Sequence, residues 1–164
     1  MNMVILRQAT EVDLGSILTI YNQGIEDRIA TLETDIKDEA YMSDWFNKHQ
    51  GRYSVLIAEQ SDQVVGWASI NLYNPRSAYD GVGDISIYIH RDYRGKGIGK
   101  QLLQKLEEIG KQNNFYKFVL FSFPFNTLGQ RLYHRAGYRE VGIFRSQGVL
   151  EGNFVDVMAM EKLF

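Results

Sequence analysis

The strictest pattern in the chain lies at residues 84–90. Ile85, Ile87 and Ile89 fall on one side; Asp84, Ser86, Tyr88 and His90 fall on the other. That period of two predicts a strand with one apolar and one polar face. Val4–Arg7 is a shorter apolar run and predicts a first strand. Tyr53–Glu59 and Val64–Leu72 predict a hairpin around Ser61-Asp62-Gln63. Phe115–Phe123 predicts another strand, stopped by Pro124. Arg139–Phe144 and Phe154–Met160 predict a last pair. Between these runs the spacing turns helical. Thr10 and Asp13 have the spacing of a capping box, and Leu14, Ile17, Leu18 and Tyr21 follow. Residues 36–49 predict a second helix, with Tyr41 and Trp45 on one face. Ile98, Leu102, Leu106 and Ile109 mark a third, and residues 128–136 a fourth that stops at Gly137. The order is βααβββαβαββ. A hairpin first and strands alternating with helices afterwards predict an α/β (α+β) fold: a mixed sheet flanked by helices on both faces.

Arg94-Gly95-Lys96-Gly97-Ile98-Gly99-Lys100 lies between the alternating strand and the third helix. Glycines let a backbone approach a ligand closely. The free N–H groups opening a helix favour an anion. Three basic side chains add charge, so a pyrophosphate suits this turn. A Walker loop does not fit, because only three residues separate Gly95 from Gly99 and Gln101 follows Lys100. A dinucleotide fingerprint fits poorly: its third glycine comes one residue early, and residues 117–121 hold no acid. The pyrophosphate loop of acetyl-CoA-dependent acyltransferases is the remaining functional reading. A plain strand-to-helix turn with solvated charges is the bland one.

Composition narrows the field. The chain has 164 residues, 45% apolar and 23% charged, which suits one domain over residues 1–164. It has no cysteine, which excludes disulfides and thiol catalysis. A formal charge of −2 argues against nucleic acid as a partner. His49, His90 and His134 lack ligand-like spacing, so no metal is expected. The opening residues do not form a signal peptide, and no apolar run reaches the ~20 residues of a membrane span. A cytoplasmic protein with no membrane partner is the expectation.

Residues 85–99, ISIYIHRDYRGKGIG, resemble the signature strand, loop and helix start of the GNAT acetyltransferase superfamily. Ile20-Tyr21-Asn22, residues 30–34 (ATLET), Trp45-Phe46, Gly66-Trp67-Ala68 and Arg76-Ser77-Ala78-Tyr79 are similar to its phosphinothricin N-acetyltransferase group. Residues 79–84, YDGVGD, resemble the branch that acts on arsinothricin. The resemblance implies a GNAT fold whose fourth and fifth strands, here 84–90 and 115–123, splay apart around the pantetheine arm. It implies acetyl-CoA as co-substrate, with backbone amides around Ile87, Tyr88 and Ile89 on the arm. The pyrophosphate would sit on Arg94, Gly95, Lys96, Gly97, Ile98, Gly99 and Lys100, and Asn126 would touch the cofactor. A homodimer and a role in antibiotic resistance are implied as well.

Direct transfer from acetyl-CoA needs a group that takes a proton from the incoming ammonium. Asp84 is the candidate. The resembled group typically has glutamate there, one methylene longer, so a bridging water fits the shorter side chain. Capping the strand is the structural alternative. Tyr133 matches the tyrosine that many relatives use to protonate the departing CoA thiolate; packing on a short helix is its alternative. Arg76 and Tyr79 match the region that binds the acceptor, where a guanidinium can grip a carboxylate or phosphinate through two hydrogen bonds. Val82, Phe125 and Gly129 depart from the group's frequent threonine, histidine and serine, which bears on the choice of acceptor. Asp156 matches a recurring position of the resembled family, where it would shape the acceptor pocket or hold the last strands; the strand-holding role is the expectation.

The resulting expectation is acetylation of the amine of a small amino acid or its analogue. Three others stand beside it: acetylation of a protein N-terminus, acetylation of a polyamine, and a CoA-binding sensor without chemistry. A polyamine calls for a markedly acidic site, and nothing near Arg76 supplies one. A sensor would have lost Asp84 and Tyr133, and both are present.

Overall fold

The computed structural model describes residues 3–164. The elements run β1 (Val4–Gln8), α1 (Leu14–Asp27), α2 (Glu39–Lys48), β2 (Val55–Gln60), β3 (Gln63–Leu72), β4 (Val82–Ile89), α3 (Ile98–Gln112), β5 (Lys117–Ser122), α4 (Thr127–Arg135), β6 (Arg139–Leu150) and β7 (Asn153–Leu163). One sheet holds the strands in the order β1-β2-β3-β4-β5-β7-β6. All neighbours are antiparallel except β4 and β5. The element order is the one the periodicity predicts.

The local chemistry explains most boundaries. Asp13 accepts a hydrogen bond from the Thr10 N–H at 2.8 Å, and a single 3-10 turn over Glu11–Asp13 leads into α1. Helix α2 begins at Glu39, three residues later than its expected start at Ile36. Asp38 is the reason: its side chain accepts from the Tyr41 N–H at 2.8 Å and caps the helix there. Ser61 and Asp62 both take positive φ, 50° and 62°, and close a two-residue hairpin between β2 and β3. Strand β6 runs six residues past Phe144. The sequence hides this because the strand bulges between Phe144 and Gly148. Asp156 on β7 pins the bulge by accepting from the Ser146 N–H at 2.8 Å and pairing with Arg145, the strand-holding part read for it.

The two sides of the alternating strand find different cores. Ile85 packs with Ala68, Ile98, Leu102, Leu106, Phe118 and Met160, with Ile87 and Ile89 against the same cluster. This is the α3 side, joined by Leu132, Tyr133 and Ala136 of α4 and its end. Tyr88 instead packs with Ile17, Ile20, Met42, Ile57 and Trp67 on the α1 and α2 side. Lys162 of β7 then ties the α3 side together. Its Nζ bonds both Glu107 oxygens, at 3.2 and 2.9 Å, and the Ala136 carbonyl at 2.7 Å.

The sheet's centre tolerates little added volume. A methyl group on Gly110 of α3 would lie 2.4 Å from Phe118 Cζ, and Phe118 is fully buried. Overpacking costs about 1–3 kcal/mol or more, against the ~1 kcal/mol that alanine gains over glycine in a helix. Gly110→Ala should therefore lose stability, by about 1 kcal/mol and roughly 2–4 °C in thermal melts. An unchanged melting temperature would show that Phe118 has room to move.

Candidate active site

Strands β4 and β5 pair over only three rungs: Val82 with Lys117, Gly83 with Phe118 and Asp84 with Val119. Beyond Asp84 they part, while β4 stays paired with β3 as far as Ile89. The His90 N–H donates to the Val65 carbonyl on the β3 side at 2.8 Å. Alternation along the strand then turns the N–H groups of Ile87 and Ile89 toward the gap. The gap opens into a cavity of about 560 Å³. Its walls are Ile87, Tyr88 and Ile89 of β4, the turn before α3, the start of α3, and Asn126, Leu132 and Tyr133 at α4.

At the cavity's mouth the glycine turn is built as an anion cradle. Gly95 and Gly97 have φ of 74° and 84°, a region that L side chains rarely enter. Gly97 caps α3, so the N–H groups of Ile98, Gly99 and Lys100 have no carbonyl within their own helix. Arg94 does not reach freely across this cradle. Its Nη1 pairs with Asp27 Oδ2 at 2.7 Å and its Nε donates to the Ile89 carbonyl at 3.2 Å. Arg91 pairs with the other Asp27 oxygen at 2.8 Å. Burial pushes the Asp27 carboxyl up, but the hydrogen bonds from Arg94 and Arg91 outweigh it and hold the group below its ordinary value. The clasp fixes the turn against the end of α1.

Of the residues that sequence reasoning assigned to the cofactor, Ile87, Tyr88, Ile89, Arg94, Gly95, Gly97, Ile98, Gly99, Lys100, Asn126 and Tyr133 all line the cavity. Lys96 does not; its ammonium lies over the Tyr93 ring, 5.2 Å from the centroid. Asn126 caps α4 by accepting from the Gly129 N–H at 3.1 Å, which leaves its amide nitrogen for a ligand. Tyr133 is partly buried, and burial pushes its hydroxyl up to about 12, so it stays a proton donor near neutral pH.

Asp84 sits at the last paired rung, where the strands divide. Burial pushes its pKa up to about 7, and hydrogen bonds from Asn71 and the Ile85 N–H limit the rise. A carboxyl poised near neutrality can accept a proton and return it. Arg76 and Tyr79 lie apart from the cavity, on the exposed connection between β3 and β4. Tyr79 leans on Tyr73, with ring centroids 5.7 Å apart. That connection leaves β3 just after Asn71, which stands directly opposite Asp84.

Sequence reasoning missed several wall residues. Arg131 and Arg135 of α4 and Gln104 of α3 also line the cavity. The i, i+4 spacing of the two arginines was a legible signal. Ile29 and Ala30, just after α1, close the opposite wall, and nothing local in their sequence marks them.

These features meet in one family. The model of the acetyltransferase (GNAT) family matches residues 19–138. The chain belongs to that family. It is an N-acetyltransferase, and acetyl-CoA is its acetyl donor. An L-methionine sulfoximine/L-methionine sulfone acetyltransferase of Pseudomonas aeruginosa is 31% identical over 159 residues, 95% of this chain and 92% of that one. The crystal structure of a phosphinothricin acetyltransferase from Sinorhizobium meliloti in complex with acetyl-CoA has a TM-score of 0.93 at 28% identity, covering 98% of this chain and 88% of that one. A ribosomal-protein-alanine N-acetyltransferase from Brucella melitensis has a TM-score of 0.94 at 29% identity, covering 98% and 99%. The GNAT fold and its splayed strands are thus as the sequence resemblance implies. Among the described residues no helix is long and apolar enough to cross a membrane.

Proposed function

We propose that this acetyltransferase acts on the α-amine of a small amino acid or analogue of the phosphinothricin, arsinothricin or methionine sulfoximine kind. Transfer is direct, with amine and acetyl-CoA bound together. The observation that carries this reading is the position of Asp84 at the fork of β4 and β5. The thioester, drawn into the fork by the Ile87 and Ile89 N–H groups, comes to lie beside that carboxylate.

The ammonium gives one proton to Asp84 and becomes a nucleophilic amine. Its nitrogen attacks the thioester carbon, and the developing oxyanion is held by the β4 N–H groups. The C–S bond breaks as the C–N bond becomes an amide. The thiolate takes a proton from Tyr133, and the nitrogen's second proton restores the tyrosine. Asp84 then returns its proton to solvent. Arg76, at the end of the strand pair that carries Asp84, grips the acceptor's acidic group, and Tyr79 borders it. A homodimer is part of this reading, supported by the exposed apolar side chains Val141, Ile143, Phe144 and Val149 along β6. So is a cytoplasmic site of action, where acetyl-CoA is made available.

The test is acetyl-CoA-dependent thiol release across a panel. It contains phosphinothricin, methionine sulfone and sulfoximine, arsenic analogues, ordinary amino acids, polyamines and peptides with N-terminal alanine. Turnover is expected on the acidic or sulfone-bearing amino acids. Turnover confined to the peptides would replace this reading with the one that the Brucella likeness favours. Tyr133→Phe should lower kcat about tenfold with the acetyl-CoA KM unchanged, because a thiolate leaves readily without full protonation. An unchanged kcat would restrict Tyr133 to packing.

A further inference from the structure

The acetyl-CoA cavity carries more positive charge than a pyrophosphate cradle needs. Six charged residues line it: Arg94, Lys100, Glu107, Arg131, Arg135 and Lys162. Three of them are already paired. Arg94 is held by Asp27 at 2.7 Å, and Lys162 holds Glu107 at 2.9 Å. Lys100, Arg131 and Arg135 are left, all cations, and among the described residues none of them makes an ion pair. The whole chain has a formal charge of −2, so composition alone does not gather unneutralised cations on one cavity.

Two helices bring these cations together. Lys100, Gln104 and Glu107 stand at i, i+4 and i+7 on α3 and line the cavity. Leu128, Arg131, Leu132 and Arg135 stand at i, i+3, i+4 and i+7 on α4 and line it as well. The stripes meet at the cradle, where a Cβ on Gly99 would lie 3.1 Å from Leu132 Cδ2. They are tied again farther on, where Lys162 Nζ bonds both Glu107 and the Ala136 carbonyl. Arg131 thus stands beside the residue that packs on the cradle, and Arg135 one turn along. Both are exposed, so neither guanidinium is needed by the core.

We propose that Arg131 and Arg135 form a second anion subsite, which grips the 3′-phosphate on the ribose of acetyl-CoA. The donor carries two kinds of anion. Its pyrophosphate suits the N–H groups of Ile98, Gly99 and Lys100, with the Lys100 ammonium beside them. Its 3′-phosphate is a monoester, with a charge of about −1.5 to −2 near neutral pH and three acceptor oxygens. Guanidiniums one helical turn apart can each offer it a pair of N–H donors. A single ribose joins the two anions, so the second subsite has to adjoin the cradle, as the contact of Leu132 with Gly99 makes it do. Arg94 and Lys96, the other cations of the glycine turn, are turned to Asp27 and the Tyr93 ring. The charge that faces the donor comes from α4 in their place. The inference rests on acetyl-CoA as the donor and on no choice of acceptor.

Calorimetric titration of the protein with CoA and with 3′-dephospho-CoA, at about 0.15 M salt so that long-range charge effects are screened, tests it without turnover. Wild type should bind dephospho-CoA about tenfold more weakly than CoA, or weaker still. The double variant Arg131→Ala/Arg135→Ala should lose that preference. It should bind CoA about tenfold more weakly than wild type does and dephospho-CoA within about twofold. Its retained dephospho-CoA affinity is the check that it folds. The wild-type preference should also narrow at about pH 5, where a phosphate monoester carries nearer one charge than two. Equal wild-type affinities for the two ligands would overturn the proposal. So would a double variant that keeps the preference, or one that weakens toward both ligands alike, which would give the arginines to the pyrophosphate.

Discussion

Asp84→Asn should all but abolish turnover while acetyl-CoA still binds, and the same variant should melt at a higher temperature than wild type at pH 8. The kinetic loss should be about 10²–10⁴-fold, the range that a positioned proton acceptor contributes. Asparagine keeps the size of the side chain but cannot take the ammonium's proton. Acetyl-CoA affinity holds because Asp84 lies outside the cradle that grips the pyrophosphate. The gain in stability follows from burial. The folded pKa, about 7, stands above the ordinary 3.8. A group raised in this way contributes its stability fully below pH 4 and loses it as pH rises through 7. That span is worth roughly 4 kcal/mol at 1.36 kcal/mol per pH unit. The amide carries no such charge, so Asp84→Asn should melt several degrees higher at pH 8, with the advantage gone at pH 4. The wild-type kcat/KM should rise with pH through about 7, as the carboxyl ionises. A variant that kept turnover, or one stabilised equally at both pH values, would contradict the role of Asp84 as a buried base.

Gly97→Asp should weaken acetyl-CoA binding at least 100-fold. A Cβ on Gly97 meets no atom within 4 Å, so the fold has room for a side chain there. Its φ of 84° imposes strain of about 1–2 kcal/mol on any L residue. That alone would weaken the cradle roughly tenfold. The larger effect is charge: a carboxylate at the cap of α3 occupies the place where the helix N-terminus favours an anion. Gly97→Ala separates the two effects, because it carries the strain without the charge. Calorimetric titration with acetyl-CoA should rank wild type above alanine and alanine well above aspartate. Equal affinities for the alanine and aspartate variants would mean that the pyrophosphate binds elsewhere.

What the sequence shows depends on how far apart the partners lie. The alternation at residues 84–90 is local, and it marks strand β4, its two faces and the outward turn of Asp84. The glycine turn is local too, and its chemistry follows from backbone freedom and helix ends. The later start of α2 was legible in principle, since Asp38 is a capping residue three positions before Tyr41. The length of β6 was not, because its bulge is held by Asp156 from the neighbouring strand. Long-range pairs were hidden entirely. Asp27 clasps Arg94 across 67 residues, which turns a residue read as a free cationic ligand into part of a fixed frame. His49 reaches Asn71 only because the hairpin brings α2 and β3 together. Arg76 and Tyr79 stand apart from the cavity, near the end of the strand pair that carries Asp84, where an acceptor rather than a cofactor would meet them.

Direct transfer is the claim on which the account rests, and initial rates with both substrates varied test it most directly. A chain without cysteine, with the Asp84 carboxyl at the fork of the sheet, should bind amine and acetyl-CoA before any product leaves. Double-reciprocal plots against acetyl-CoA at several fixed amine concentrations should intersect. Parallel lines, with acetylated protein appearing before the amine is added, would mean that the acetyl group passes through the enzyme and would contradict the account.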